Sequence, residues 1–530
     1  MQNTLLASEV EPALAPRATS LLRFFTCGSV DDGKSTLIGR LLYETGSVFE
    51  DQLEALEKDS KKFGTQGSQR DFALLLDGLS AEREQGITID VAYRYFGSGK
   101  RAFIVADTPG HEQYTRNMAT GASTAELAII LIDARKGVLP QTRRHAYIVS
   151  MLGVRHIVLA INKMDLVDFS QARFNEIVAA CRETMKNLGF ATIAAIPISA
   201  RDGDNITKAS PRTPWYRGPA FLAYLETIDA TDDKQHAAPF AFPVQWVNRP
   251  DLDFRGYAGT ISSGRVTQGM EVLALPGARR AVVTRIVTAD GDKTSAGAGE
   301  SITLTLDREI DVSRGDVIAA SSHNLSPRRN IAARVLWMID EPLAPGRDYI
   351  IQQTTATANA RVSVLHHAID IETFAEIPAD SLAVNQIGRI SLACDKPLIV
   401  GNYRDTHDLG AFILIDRFTN QTAALGVIEL MAADALETSA PALIEPSLWT
   451  RIAGAHGTPQ RQRFMARSSL EAAAGVTLAL IVWLLTANIA ASAAVLVFEI
   501  VTRTLIHAVV ARGAVAPSIL NEINESGAGI

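Results

Sequence analysis

Short apolar runs alternate with helical stretches from residue 21 to about residue 228. The runs at 24–27, 102–106, 128–132, 157–161 and 193–198 are continuously apolar rather than alternating, the pattern of strands covered on both faces. Helical spacing falls between them, at 35–43, 141–151 and 171–188. The alternation predicts an α/β domain with a largely parallel sheet over 21–230. Residues 1–20 have no charged start followed by an apolar core, so they read as a flexible leader and not a secretory signal. Residues 54–62, and Arg143 with Arg144, read as solvated helix faces.

The polar stretch 229–238 marks a linker, after which the pattern changes. Short Val, Ile, Thr and Leu runs broken by Gly and Asp predict a β-barrel over 238–325, and a second all-β segment follows over 328–430. No internal repeat relates the two. Residues 431–467 read as a linker. From Ala472 to Phe498, 27 consecutive residues carry no charge, enough to span a bilayer. Thr486 to Asn488 interrupt that run, which predicts a C-terminal α-helical hairpin at 468–513, transmembrane in placement, and a tail at 514–530.

At 530 residues the chain is long enough for three or four domains. A formal charge of −7 argues against a dedicated nucleic-acid binder. Cys27, Cys181 and Cys394 stand far apart without metal-ligand spacing, which fits a reduced cytoplasmic setting. His366 and His367 alternate across an expected strand and so do not read as joint metal ligands.

Four motifs carry chemistry. The first, Gly28-Ser29-Val30-Asp31-Asp32-Gly33-Lys34-Ser35, follows an expected strand and opens an expected helix, the setting of a phosphate-binding loop. Backbone N–H groups from Asp31 to Thr36 would wrap phosphates, Lys34 would sit between the β- and γ-phosphates, and Ser35 would bind Mg²⁺. Thr88 is the candidate second Mg²⁺ ligand, on a loop ordered by the γ-phosphate. Asp107-Thr108-Pro109-Gly110-His111 ends a strand, so Asp107 can hold the metal through water, Gly110 N–H can bond the γ-phosphate, and His111 can orient the attacking water. In Asn162-Lys163-Met164-Asp165 the Asp165 carboxylate accepts from guanine N1–H and N2–H₂, donors that adenine lacks. Ser199 and Ala200 would complete the base pocket through a backbone N–H. The ligand expected is GTP with Mg²⁺.

The Asp107 to His111 motif, the Gly86-Ile87-Thr88 segment and the two following barrels resemble the translational GTPases, typified by elongation factor Tu. That resemblance implies a P-loop G domain followed by two β-barrels, with Val30 and Ile87 gating the water that His111 positions. The translation factors usually carry Asp-His-Gly-Lys in the P-loop, however, and here the loop reads Asp31-Asp32-Gly33-Lys34. With the strings Leu76 to Tyr95, Glu112 to Gly121, Ala134 to Gly137 and Phe412 to Arg417, it resembles the GTPase subunit of bacterial sulfate adenylyltransferase over roughly 21–430. The resemblance implies that GTP hydrolysis drives ATP and sulfate to adenosine 5′-phosphosulfate and pyrophosphate in sulfate assimilation. Adenylyl transfer would belong to a separate small catalytic subunit, joined in a hetero-oligomer. No second Gly-x4-Gly-Lys-[Ser/Thr] occurs, so a fused adenylylsulfate kinase is not expected. Glu126 stands where the family suggests Asp, and keeps the charge. The competing reading is a translation-factor-like GTPase that delivers an RNA ligand; Asp32 with its surrounding strings, and the acidic balance, favour the first.

The region 466–513 looks like a small two-helix membrane domain. Arg461, Arg463 and Arg467 precede the apolar run and Arg512 follows it, so both ends would face the cytoplasm and anchor the protein to the inner membrane. Glu499, Arg503 and His507 would share one helix face. A soluble Ala-rich hairpin packing on the barrels is the alternative.

Overall fold

A computed structural model describes residues 20–63, 70–76, 82, 88–230, 237–251 and 254–430. The leader at 1–19, Ile87, and the linker, hairpin and tail expected beyond residue 430 lie outside the described residues. Among the described residues no helix is long and apolar enough to cross a membrane.

The first domain is built on β1 (Leu21–Cys27), β2 (Ala92–Gly97), β3 (Ala102–Asp107), β4 (Leu127–Asp133), β5 (His156–Asn162) and β6 (Thr192–Pro197). Its helices are α1 (Lys34–Glu44), α2 (Glu50–Phe63), α3 (Thr115–Ala122), α4 (Pro140–Met151), α5 (Gln171–Met185) and α6 (Phe221–Thr227). The sheet runs β2-β3-β1-β4-β5-β6. Every pairing is parallel except β2 with β3. All seven residues of the central β4 are buried, which is why its sequence is apolar without alternation. The edge strand β2 was not part of the expected set. Its pattern alternates, with Tyr93 and Tyr95 exposed, because an edge strand meets solvent on one face.

Each following segment closes into a ring of six strands. In the first, Glu271–Leu275 pairs with Arg279–Thr288 to close the ring; in the second, Asp348–Gln353 pairs with Ala356–Ile369. The strands of the two rings follow different chain orders, in keeping with the lack of a sequence repeat. The second barrel is sealed onto the first domain: Leu336, Met338, Ile369, Ile387 and Val427 share one apolar core with Tyr147 and Met151 of α4. Ala241, Leu275, Val317, Leu325, Ile399 and Leu409 close the seam between the barrels.

Arg143 and Arg144 are not a free helix face. Arg143 pairs with Glu372 of the second barrel (3.6 Å), and Arg144 pairs with Glu112 (2.8 Å). Sequence spacing alone assigns helical charges to solvent; here the barrel covers that face. Glu126 accepts a hydrogen bond from Arg23 N–H (2.9 Å), a strand-edge role that needs only a carboxylate. All three cysteines are buried and free, and burial pushes their thiols up to about 12, so they stay protonated.

Candidate functional site

The strand β1 ends at Cys27 and α1 begins at Lys34, so the phosphate loop spans the gap between a buried strand and a helix N-terminus. Gly33 has φ +92°, and a Cβ there would lie 2.5 Å from Asn162 Nδ2, so both backbone and space demand glycine. Within the loop, Asp32 Oδ2 accepts from Ser29 N–H (2.6 Å). Lys34 Nζ donates to the carbonyls of Ser29 (2.8 Å) and Gly28 (3.3 Å). Both Asp32 and Lys34 are nearly inaccessible, at 1% and 7% exposed. Burial pushes the Asp32 carboxyl up and the Lys34 ammonium down, and the attraction between them opposes both shifts. Asp32 Oδ1 has no hydrogen-bond partner among the described residues.

The three oxygen groups expected around a metal meet at one point. Ser35 Oγ donates to Asp107 Oδ2 (2.7 Å) and lies 3.3 Å from Thr88 Oγ1. Asp107, at the end of β3, is braced from behind by the Thr26 hydroxyl (3.1 Å). Burial pushes its carboxyl up, opposed by the Ser35 hydrogen bond and by Lys34. Thr26 is a site-supporting residue that motif reading missed, since a Thr in a strand carries no signal of its own.

Gly110 is placed directly against the loop, and a Cβ there would strike Lys34 Nζ and the Gly28 carbonyl. Thr108 Oγ1 donates to the Thr26 carbonyl (2.6 Å), and Pro109 is buried behind it. His111 is exposed; its Nδ1 accepts from Gln113 N–H (3.3 Å) at the head of the turn Glu112–Tyr114. Val30 is half-buried in the loop.

At the other end of the site, Asn162 closes β5 and ties two loops together. Its Nδ2 donates to the Asp32 carbonyl (2.7 Å), and its Oδ1 accepts from Ala200 N–H (2.9 Å). The backbone N–H of Ala200, expected to face the base, is thus engaged by Asn162. Lys163 takes a left-handed conformation and crosses to the Asp31 carbonyl and to Asp133 (3.2 Å). Burial would push the Asp133 carboxyl up, but hydrogen bonds from Arg135 and the Lys163 charge win and hold it at about 2. Met164 is buried and anchors the turn through its N–H to the Ile198 carbonyl (3.2 Å). Ser199 Oγ donates to Asp165 Oδ1 (2.8 Å), which steers that carboxylate.

Two family models match the chain: the elongation factor Tu GTP binding domain over residues 19–240, and the GTP-eEF1A C-terminal domain-like family over 330–429. Sulfate adenylyltransferase subunit 1 of Vibrio vulnificus (strain CMCP6) is 56% identical over 410 residues, covering 77% of this chain and 86% of that one. The chain belongs to that family. The subunit 1 of Aeromonas salmonicida (strain A449) is 52% identical over 423 residues, covering 80% and 90%. The bifunctional enzyme NodQ of Rhizobium meliloti (strain 1021) is 54% identical over 410 residues, covering 77% of this chain and 64% of NodQ.

In this subunit 1 family member, the second barrel reaches the residue after His111. Asn385 Nδ2 donates to the Glu112 carbonyl (3.0 Å), while the Glu112 carboxylate pairs with Arg144. Tyr403 OH donates to the Leu152 carbonyl at the end of α4 (2.7 Å). The turn that follows the Asp107 motif is therefore held between its own domain and the barrel.

Proposed function

We propose that the chain is the energy-coupling subunit of a two-subunit sulfate adenylyltransferase, hydrolysing GTP to drive ATP and sulfate to adenosine 5′-phosphosulfate and pyrophosphate. The reading is carried by the meeting of Ser35, Thr88 and Asp107 beside the P-loop, in a chain 56% identical over 410 residues to a sulfate adenylyltransferase subunit 1. The sulfate–phosphate anhydride is so energetic that adenylation alone favours substrates. A GTP-hydrolysing partner supplies the missing drive.

The oxygen set suits a hard divalent cation, and Mg²⁺ fits it, with Ser35 and Thr88 as direct ligands and Asp107 through water. Bound there, Mg²⁺ would neutralise charge developing on the phosphates. The placement of the chain's own residues supports these roles. Lys34 exchanges the Gly28 and Ser29 carbonyls for phosphate oxygens. Gly110 N–H senses the γ-phosphate, and Asp165, steered by Ser199, reads guanine. His111 Nδ1 accepts from Gln113 N–H, which leaves Nε2 to face the attacking water. From that position His111 orients the attacking water. Val30 and Ile87 flank the water's path.

The test combines the full chain with the small adenylyltransferase subunit, ATP, sulfate and GTP, and measures adenosine 5′-phosphosulfate. Its yield rises only when both this chain and GTP are present. A yield indifferent to GTP sinks the reading.

The 27-residue uncharged run from Ala472 supports a further proposal, that the C-terminal region holds the complex at the cytoplasmic face of the inner membrane. The full chain then partitions into detergent and a version ending at Arg467 does not. Equal partitioning removes the anchor.

A further inference from the structure

Thr88 belongs to a segment, 88–91, that forms neither strand nor helix, yet its hydroxyl stands 3.3 Å from Ser35 Oγ. What holds it there is a grip on the next residue from two sides. The N–H of Ile89 donates to Glu82 Oε1 (3.0 Å), which also accepts from Asp90 N–H (3.4 Å). The carbonyl of Ile89 accepts from Asn117 Nδ2 (2.7 Å). Because peptide units are planar, the first bond sets the plane between Thr88 and Ile89, and the second sets the plane that follows. Glu82 is 6% exposed, so its charge-assisted bond forms away from competing water.

Asn117 lies on α3, which follows His111 directly through the turn Glu112–Tyr114. The start of α3 is tied to that turn by Thr115 Oγ1, which donates to the Glu112 carbonyl (2.7 Å). Gly121 lets the helix close on Thr108, and a Cβ there would lie 3.6 Å from Val91 Cγ1. The helix that carries Asn117 is thus packed on both the Asp107 motif and the Thr88 segment.

We infer that Asn117 and Glu82 are positioning residues that set the Thr88 hydroxyl for the metal and make it move with the γ-phosphate-sensing loop. This rests on the nucleotide site proposed above. Sequence reading passed over both residues, because an amide in one helix and a carboxylate before a loop carry no local sign that they share a target. If Thr88 is engaged only with the γ-phosphate, as the proposed site has it, the grip bears on binding of the triphosphate and not of GDP.

The variant Asn117→Asp keeps the side chain's size and replaces the N–H donor with an oxygen facing the Ile89 carbonyl. In the full chain, it should lower affinity for a non-hydrolysable GTP analogue in Mg²⁺ by about tenfold and leave GDP affinity within about twofold. The Mg²⁺ concentration needed for half-maximal analogue binding should rise in parallel. Glu82→Gln, which retains an acceptor oxygen, should lose less than Glu82→Ala. Analogue and GDP affinities falling together would mark a merely structural role and overturn the inference, as would an Asn117→Asp chain that binds both normally. If the unaltered chain binds the analogue without regard to Mg²⁺, the nucleotide reading itself falls, and this inference with it.

Discussion

Replacing Lys34 with Ala lowers GTP hydrolysis by the full chain about a thousandfold, the loss expected when a preorganised charge is removed from a phosphoryl-transfer site. The size of the effect follows from where the ammonium sits. It is 7% exposed and bonded to the carbonyls of Gly28 and Ser29, so it is already aimed into the loop that would cradle the phosphates. It is also the foremost cation acting on Asp32, and it opposes the burial of Asp107. Without it, burial pushes both carboxyls further up. Steady-state phosphate release measures the outcome, and hydrolysis within tenfold of the unaltered chain would remove Lys34 from the mechanism.

Asp165→Asn lowers GTP affinity about hundredfold and favours xanthosine triphosphate over GTP. The carboxylate offers two acceptors to the guanine N1–H and N2–H₂ donors, and an amide offers one acceptor and one donor. In the variant, an N–H group therefore faces an N–H group of guanine, whereas xanthine presents a carbonyl at the same place. Ser199 Oγ holds Asp165 Oδ1 at 2.8 Å, so the side chain is steered and has less freedom to turn away from the mismatch. Competition binding with the two triphosphates reads the result. Unchanged preference for GTP would show that Asp165 does not read the base.

Much of the first domain was legible because its signals are local. The inner strands β1, β3, β4 and β5 reveal themselves through continuous apolarity, which covering helices on both faces require, and β6, a half-buried edge strand, is legible as an apolar run as well. The edge strand β2 was missed because half of it faces water. Helix α5 ends at Met185, short of the expected 188, and Gly189 takes positive φ just beyond it. The closure of each barrel was hidden as well, since alternation marks a strand but does not name its neighbour.

The motif letters by themselves pointed to GTP and, through the strings between them, to the family that the relatives show. A P-loop can be read this way because glycine, lysine and serine act on one ligand from a few consecutive residues. Only the tertiary structure decided how those pieces are braced. Asn162 ties the base loop to Asp32 across 130 positions, and Asn385 reaches Glu112 across 273. Asn117 meets Ile89, and Arg143 meets the second barrel. An amide or guanidinium can serve any acceptor within reach, and which acceptor comes within reach is settled by packing alone.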